Sequence, residues 1–391
     1  MAFTDCDVVV IGAGIAGAGV AAELSPDRKV VLLEQEAHPG MHATGRSAAL
    51  HSEIYGNACI RALTQAGREF FLHGDRGLPF TRPRGCLHIA TETQLDRLAV
   101  FAEEPGVGAA VRRIDGRALL ERVPVLRPGR VVAALEEHHA YDLDVDAIHR
   151  FFLNQHRAAG GLLRCSSPAV ELTRVGGMWS VLAGDQEFRA PVVVNAAGAW
   201  GDVVAERAGV DAIGLQPRRR SALIVEAPPR ADPSTWPAVI DIDEQFYFKP
   251  DAGKIMMSPA DETLSAPCDA FPDDFDLAVA VDRVQQVADI PVQRIAHSWA
   301  GLRTFAPDRT PVVGFDLDAA GFFWLVGQGG YGIQTSPALS RLAAALVRGR
   351  PLPADLAERG VRAADLDPAR LRQARPQSDN LQSTSTHSAT S

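Results

Sequence analysis

Three glycines, Gly12, Gly14 and Gly17, follow the apolar run 7–11 and open the small-residue stretch 18–24. Glycines at this spacing bring backbone N–H groups up to a pyrophosphate. Gly12 makes the tight turn, Gly14 lets the backbone approach the ligand, and Gly17 lets helix and strand pack closely. The anion then meets the positive end of a helix. A second apolar strand, 29–33, ends on Glu34, 20 residues beyond Gly14, where a carboxylate accepts hydrogen bonds from ribose hydroxyls. Strand, helix, second strand and acidic end form a dinucleotide-binding βαβ unit of about 30 residues. Ile15, Ala16 and Gln35 stand beside its ligand.

Two more segments address the same ligand. Thr44, Arg46, Ser47 and Ala48 lie soon after Glu34 and supply donors to a second part of it. A late strand, 322–326, runs into the glycine-rich turn 327–332, which offers another helix N-terminus before a helix at 336–348. A simple NAD dehydrogenase would continue with regular βα alternation, and this chain does not. The pattern favours a cofactor threaded deep into the protein, as FAD is. No GxSxG elbow and no HExxH zinc motif occurs.

Around these motifs the chain reads as α/β. Helices are expected at 60–71, 142–152 and 277–287, and strands at 86–90, 160–171, 178–182, 191–195, 221–226, 239–241 and 246–249. The 391 residues suffice for two lobes. With 48 Asp and Glu against 39 Lys and Arg, the net charge is -9, which disfavours nucleic acid or an anionic membrane as partner. No run of 18 apolar residues occurs, so no membrane span is expected. The five cysteines form no CxxC pair, so a reduced, cytoplasmic protein without disulfide or metal site is expected. Residues 375–391 are Ser/Thr-rich and read as a disordered tail.

The chain resembles the D-amino-acid oxidase superfamily of flavoproteins, which includes glycine and sarcosine oxidases. Within it, the likeness runs to the bacterial FAD-dependent D-arginine dehydrogenase type. The segments that carry it are VVIGAGIAGA (9–18), TGRSAA (44–49), VNAAGAW (194–200), LQPRRRSA (215–222), FYFKPDAG (246–253), WAGLRTF (299–305) and QGGYGIQTS (328–336). The resemblance implies a Rossmann-like FAD-binding domain (1–55, 140–215, 300–371). Interleaved with it is a substrate domain of mixed β-sheet plus helices (56–139, 216–299). It also implies hydride transfer from the substrate Cα to flavin N5, yielding an imino acid that hydrolyses to a 2-oxo acid and ammonia.

The resemblance assigns Arg220 and Arg303 to the substrate carboxylate, because a planar guanidinium pairs with it bidentately. Tyr55 and Tyr247 would face the substrate and Gly330 would lie by its amine. To the cofactor set it adds Val170, Ala197, Gly198, Trp200, Arg303, Gly329, Gly330, Tyr331, Gly332, Ile333 and Gln334. The helix after the glycine loop would turn its positive end toward the flavin's C2 carbonyl. Further partners are an amino-acid substrate and an electron acceptor (quinone, dye or O2), with the protein a monomer or weak homo-oligomer. Two alternatives stay open: oxidation of N-methyl or cyclic secondary amino acids, and a non-catalytic flavin-binding protein.

Where the D-arginine type carries a Glu for the cationic side chain, this chain has Gly85, and where that type has a His, it has Leu50, with His51 displaced by one. The expected preference therefore shifts from arginine toward neutral side chains, with Ala238 and Ile240 as apolar wall and Glu53 as the nearest replacement acid. Since the D-arginine type holds FAD without a covalent bond, His51 is not expected to be a flavin link. Acid precipitation should release the yellow colour into the supernatant; flavin held in the pellet would establish a covalent bond instead.

Overall fold

A computed structural model describes residues 3–229 and 231–373; the stretch read as a tail, 375–391, lies outside the described residues. The first sheet has six strands, in the order Leu162–Arg164, Val30–Leu33, Val8–Ile11, Val192–Asn195, Phe322–Val326 and Val312–Phe315. All neighbours run parallel except the last pair. Its central strands are buried along nearly their whole length, which explains their unbroken β-branched and aromatic runs. Helices Ile15–Leu24, Val145–Ala158 and Gly332–Val347 cover one face through a shared apolar core. A four-stranded sheet containing Ala169–Val175, Met178–Ala183 and Gln186–Ala190 covers the other.

The second large sheet has ten strands and carries the other half of the site. Its main path runs Gln328–Gly329, Ile295–Phe305, Gln216–Val225, Lys254–Ser258, Tyr247–Asp251, Ala238–Asp241, Cys86–Ala90, Ala133–Glu137 and Val111–Asp115. Leu87, Val239 and Phe248 turn to one face, where they meet the helix Asp274–Val287. Residues of the opposite parity, including Tyr247, turn toward the first sheet. The fold is thus α/β, a Rossmann-like sheet facing a mixed one. Among the described residues, no helix is long and apolar enough to cross a membrane.

Several expected elements take different bounds, for identifiable reasons. The helix expected at 142–152 starts at Val145 because Tyr141–Leu143 is a strand, and Asp144 caps it by accepting from the Ala147 N–H at 2.9 Å. The stretch 160–171 holds two short strands, each joining a different sheet. The strand expected at 221–226 is the end of the ten-residue strand Gln216–Val225, whose arginines hid its β character. The helix expected at 336–348 begins at Gly332, four residues ahead of its expected start, despite Pro337 inside it. Pro337 cannot bond the Ile333 carbonyl, and the Ser336 hydroxyl does so instead at 2.8 Å. The long strand Ile295–Phe305 was not expected at all.

His51 lies buried against Phe71 and Tyr141, ring centroids 5.4 and 6.0 Å away. Burial pushes its pKa from 6.5 down to about 4. The unfolded chain therefore binds a proton that the folded chain refuses. This contribution to stability is complete above the unfolded pKa and is lost as pH falls from there through the folded value, by up to about 3 kcal/mol. His51→Leu should flatten the acid side of the Tm–pH curve; an unchanged slope would assign that loss to other groups.

Candidate active site

A cleft of about 1660 Å3 runs between the two large sheets, past the carboxyl ends of the parallel strands. That is the place where open α/β sheets bind ligands. Gly12, Gly14, Ile15, Ala16, Glu34, Gln35, Thr44, Arg46, Ser47 and Ala48 line one end. Ala197, Gly198 and Trp200 line its middle, and Arg220, Tyr247, Arg303, Gly329, Gly330, Gly332 and Ile333 complete it.

Sterics explain the glycines at the dinucleotide end. Gly12 has φ +99°, and a Cβ there would meet the Ala196 carbonyl oxygen at 2.6 Å. A Cβ on Gly17 would lie 1.8 Å from the Gly12 oxygen, so Gly17 serves packing and does not line the cleft. Thr44 Oγ1 accepts from the Ile15 N–H at 3.0 Å, which joins the second segment to the helix N-terminus. Glu34 accepts from the Ala13 and Glu36 N–H groups, both at 3.0 Å, one on each oxygen. Each oxygen keeps a lone pair for a ribose hydroxyl. Burial raises the Glu34 pKa despite these bonds. This open cradle, an elongated cleft at a helix N-terminus with a positioned carboxylate, fits FAD.

Arg46 lines the cleft, but its guanidinium is engaged elsewhere. Nη1 donates to the carbonyls of Ala270 and Ala300, both at 2.9 Å, and Nη2 pairs with Asp269. Trp299 Nε1 donates back to the Arg46 carbonyl at 3.1 Å. Arg46 thus fastens the cofactor-side segment to the second sheet.

The two arginines expected to grip a carboxylate differ. Arg220 already donates from Nε to the Asp261 carbonyl at 2.8 Å and from Nη2 to Glu262 at 3.2 Å. Glu262 is held bidentately by Arg309 at 2.9 and 3.0 Å. Burial opposes its charge, but the arginines around it outweigh that and lower its pKa. Arg303 donates from Nη1 to the Tyr55 hydroxyl at 3.2 Å and, among the described residues, forms no ion pair with Asp or Glu. Burial works against its charge, while the oxygens of Tyr55 and Tyr247 outweigh burial and hold its pKa above the ordinary arginine value. A Cβ on Gly330 would fall 2.8 Å from Arg303 Nη1, so only glycine leaves the guanidinium its place. Tyr247 is deprotonated more readily than an ordinary tyrosine, because Arg303 and then Arg220 overcome the opposing effect of burial.

Other expected residues fall outside the cleft. Tyr55 and Tyr331 pack edge-to-face, centroids 4.8 Å apart, and line an adjoining cavity of about 930 Å3 with His88 and Arg309. Val170 is exposed as the extra residue of a β-bulge between Ala169 and Glu171, and Ser167, Pro168 and Ala169 line the cleft in its stead. Gln334 is buried and donates to Thr64 Oγ1 at 2.9 Å while accepting from the Ser52 N–H at 3.2 Å, so it braces the helix. Gly85 lies between two strands at φ +71°, hydrogen-bonded to the Ala140 and Ala238 backbone, and lines neither cavity. Glu53 faces Arg68 at 3.6 Å. Sequence reading missed Glu262 and Arg309, whose meeting with Arg220 is decided by strand pairing across distant segments.

Comparisons with known proteins agree with this geometry. A family model described as FAD dependent oxidoreductase (DAO) matches residues 7–346. Dimethylglycine dehydrogenase of Mus musculus is 23% identical over 391 aligned residues, covering 90% of this chain. The chain spans less than half of that relative's length, 43%. Glycine oxidase of Geobacillus kaustophilus is 24% identical over 383 residues, covering 90% of this chain and 95% of the relative. The crystal structure of L-proline dehydrogenase from P. horikoshii superposes with a TM-score of 0.77 at 20% identity, covering 95% of this chain and 99% of that one.

The Tyr247–Arg303 pair predicts a pH effect. Ionising Tyr247 places a phenolate beside Arg303, where it competes with an incoming anion. Tyr247→Phe should move the alkaline fall of kcat/KM to higher pH than in the unmodified protein. Superimposable profiles would clear Tyr247 of that role.

Proposed function

The chain belongs to the DAO family of FAD-dependent oxidoreductases, and from that premise we propose that it oxidatively deaminates D-amino acids to 2-oxo acids and ammonia. The observation that carries this reading is Arg303, a guanidinium inside the cleft whose hydrogen-bond partner is a neutral phenol and which forms no ion pair with a carboxylate among the described residues. A cation placed so needs an anionic partner, and a planar guanidinium suits a carboxylate. Bound FAD supplies the hydride acceptor. Arg303 binds the substrate carboxylate, with the Tyr55 hydroxyl setting the guanidinium plane. Arg220, tied to Glu262, contributes its charge to the same end and helps orient Tyr247. Gly330 leaves room for the guanidinium and the substrate amine. No general base is required, because a neutral amine releases hydride without one.

The names of the similar proteins support an α-amino carboxylate as substrate: glycine, dimethylglycine and L-proline each carry an amine beside a carboxylate. The D configuration rests on the motif likeness, and so does the neutral side-chain preference; Ala238 and Ile240 pack in an apolar grouping with Leu50, Cys86 and Ala140 and line neither cavity. A Glu in place of Gly85 would be strained, because the backbone there has φ +71°.

A panel of D- and L-amino acids, sarcosine and proline, assayed with a dye acceptor and with O2, tests the reading. Neutral D-amino acids should be turned over fastest, and Arg303→Met should cost about 2–4 kcal/mol in kcat/KM, the scale for removing one partner of a buried charged pair. Turnover of L-amino acids alone, or of sarcosine or proline alone, would reassign the substrate class. Unchanged kinetics in the Arg303 variant would place the carboxylate clamp elsewhere.

A further inference from the structure

One buried cluster plays no part in the chemistry above. Cys86 and His88 alternate on the strand Cys86–Ala90, so both side chains leave the same face, and Glu137 is the register partner of Cys86 on the neighbouring strand. One ligating atom from each of the three lies within 4.8 Å of the other two, and all three residues are buried. Cys86 and Glu137 are fully covered and His88 nearly so. Among the described residues, no Lys or Arg lies within ion-pair distance of Glu137, although its neighbour Glu136 has two arginines. A carboxylate enclosed without a cation is costly.

We propose that Cys86, His88 and Glu137 bind a divalent transition-metal cation, with zinc the best match. Thiolate, imidazole and carboxylate are the donor set zinc takes. Cys86 Sγ and His88 Nε2 are 3.8 Å apart. A tetrahedral zinc about 2.3 Å from sulfur and 2.0 Å from nitrogen places those donors about 3.5 Å apart, so only a small adjustment is needed. The charges also close: thiolate and carboxylate balance the dication in a buried, neutral unit, and binding releases the Cys86 proton to solvent. Glu137 is already oriented, accepting from Ser52 Oγ at 2.8 Å on one oxygen and from the Glu53 N–H at 3.0 Å on the other, as outer partners of metal ligands do. Adjacent strands hold the ligands, which is a more rigid scaffold than a loop. His88 also lines the cavity of about 930 Å3, while Cys86 and Glu137 lie behind it. Through Ser52 and Glu53 the cation would also anchor the chain just ahead of Tyr55.

The experiment uses the flavin-loaded protein, expressed with zinc and purified without chelator. Elemental analysis should find about one zinc per chain, falling to about a tenth or less in Cys86→Ser and Glu137→Gln variants that keep the unmodified protein's flavin spectrum. After chelation, Co2+ alone should give ligand-field absorption at wavelengths beyond the flavin bands, with the intensity of a tetrahedral site. Should the variants fail to fold, that cobalt spectrum of the unmodified protein decides. Absence of both stoichiometric zinc and the cobalt bands overturns the proposal. Zinc retained by a folded Cys86→Ser variant overturns it as well, because the metal is then elsewhere.

Discussion

A guanidinium taken out of bulk water needs acceptors for its N–H groups and a charge to balance it, and much of the site is arranged around how Arg303 meets that need. Tyr55 and Tyr247 supply oxygens without a full negative charge. Glu262, whose charge feels Arg303, is held by Arg309 on both oxygens and by Arg220 on one. Arg303 is therefore kept charged and in position but unneutralised. Gly330 completes the arrangement, since a methyl group there would press on the guanidinium. On the reading proposed above, the stability given up at Arg303 is binding energy available to a carboxylate ligand.

That arrangement depends on two sheets meeting along one seam. The parallel sheet brings the helix N-terminus and Glu34, and the mixed sheet brings Arg220, Tyr247 and Arg303. The seam is held by specific bonds as well as apolar packing: Arg46 reaches three groups of the second sheet's loops and strands, and Trp299 reaches back. Movement of either sheet would separate cofactor from substrate, and small displacements at a reacting centre reduce rate steeply.

Polar clusters on the inner face of the mixed sheet follow a common logic. Residues of one parity build the apolar core with the helix Asp274–Val287, which leaves the other parity free to carry chemistry. Tyr247 lies on this face, as do Cys86, His88 and Glu137. Strand pairing alone brings these residues together.

What the residues themselves determined is local. Gly12, Gly14, Gly17 and Glu34 announce a dinucleotide turn because each position is constrained by backbone geometry within a few tens of residues. The buried strands Cys86–Ala90 and Phe322–Val326 were legible for a related reason: a run apolar enough to be buried on both faces, or bounded by turn residues, has few other uses. Arg303 was legible as a charge in an apolar setting. Tertiary structure decided the rest. Which arginine is free depended on Glu262, brought beside Arg220 by strand pairing and a turn. Val170 faces away from the cleft as the extra residue of a β-bulge, Gln334 by its place on the helix, and Gly85 lies outside it in the connection before its strand. The pairing of Cys86 and His88 with Glu137 spans some 50 residues and follows no spacing rule, because sheet register is set by what the faces bury and not by distance along the chain.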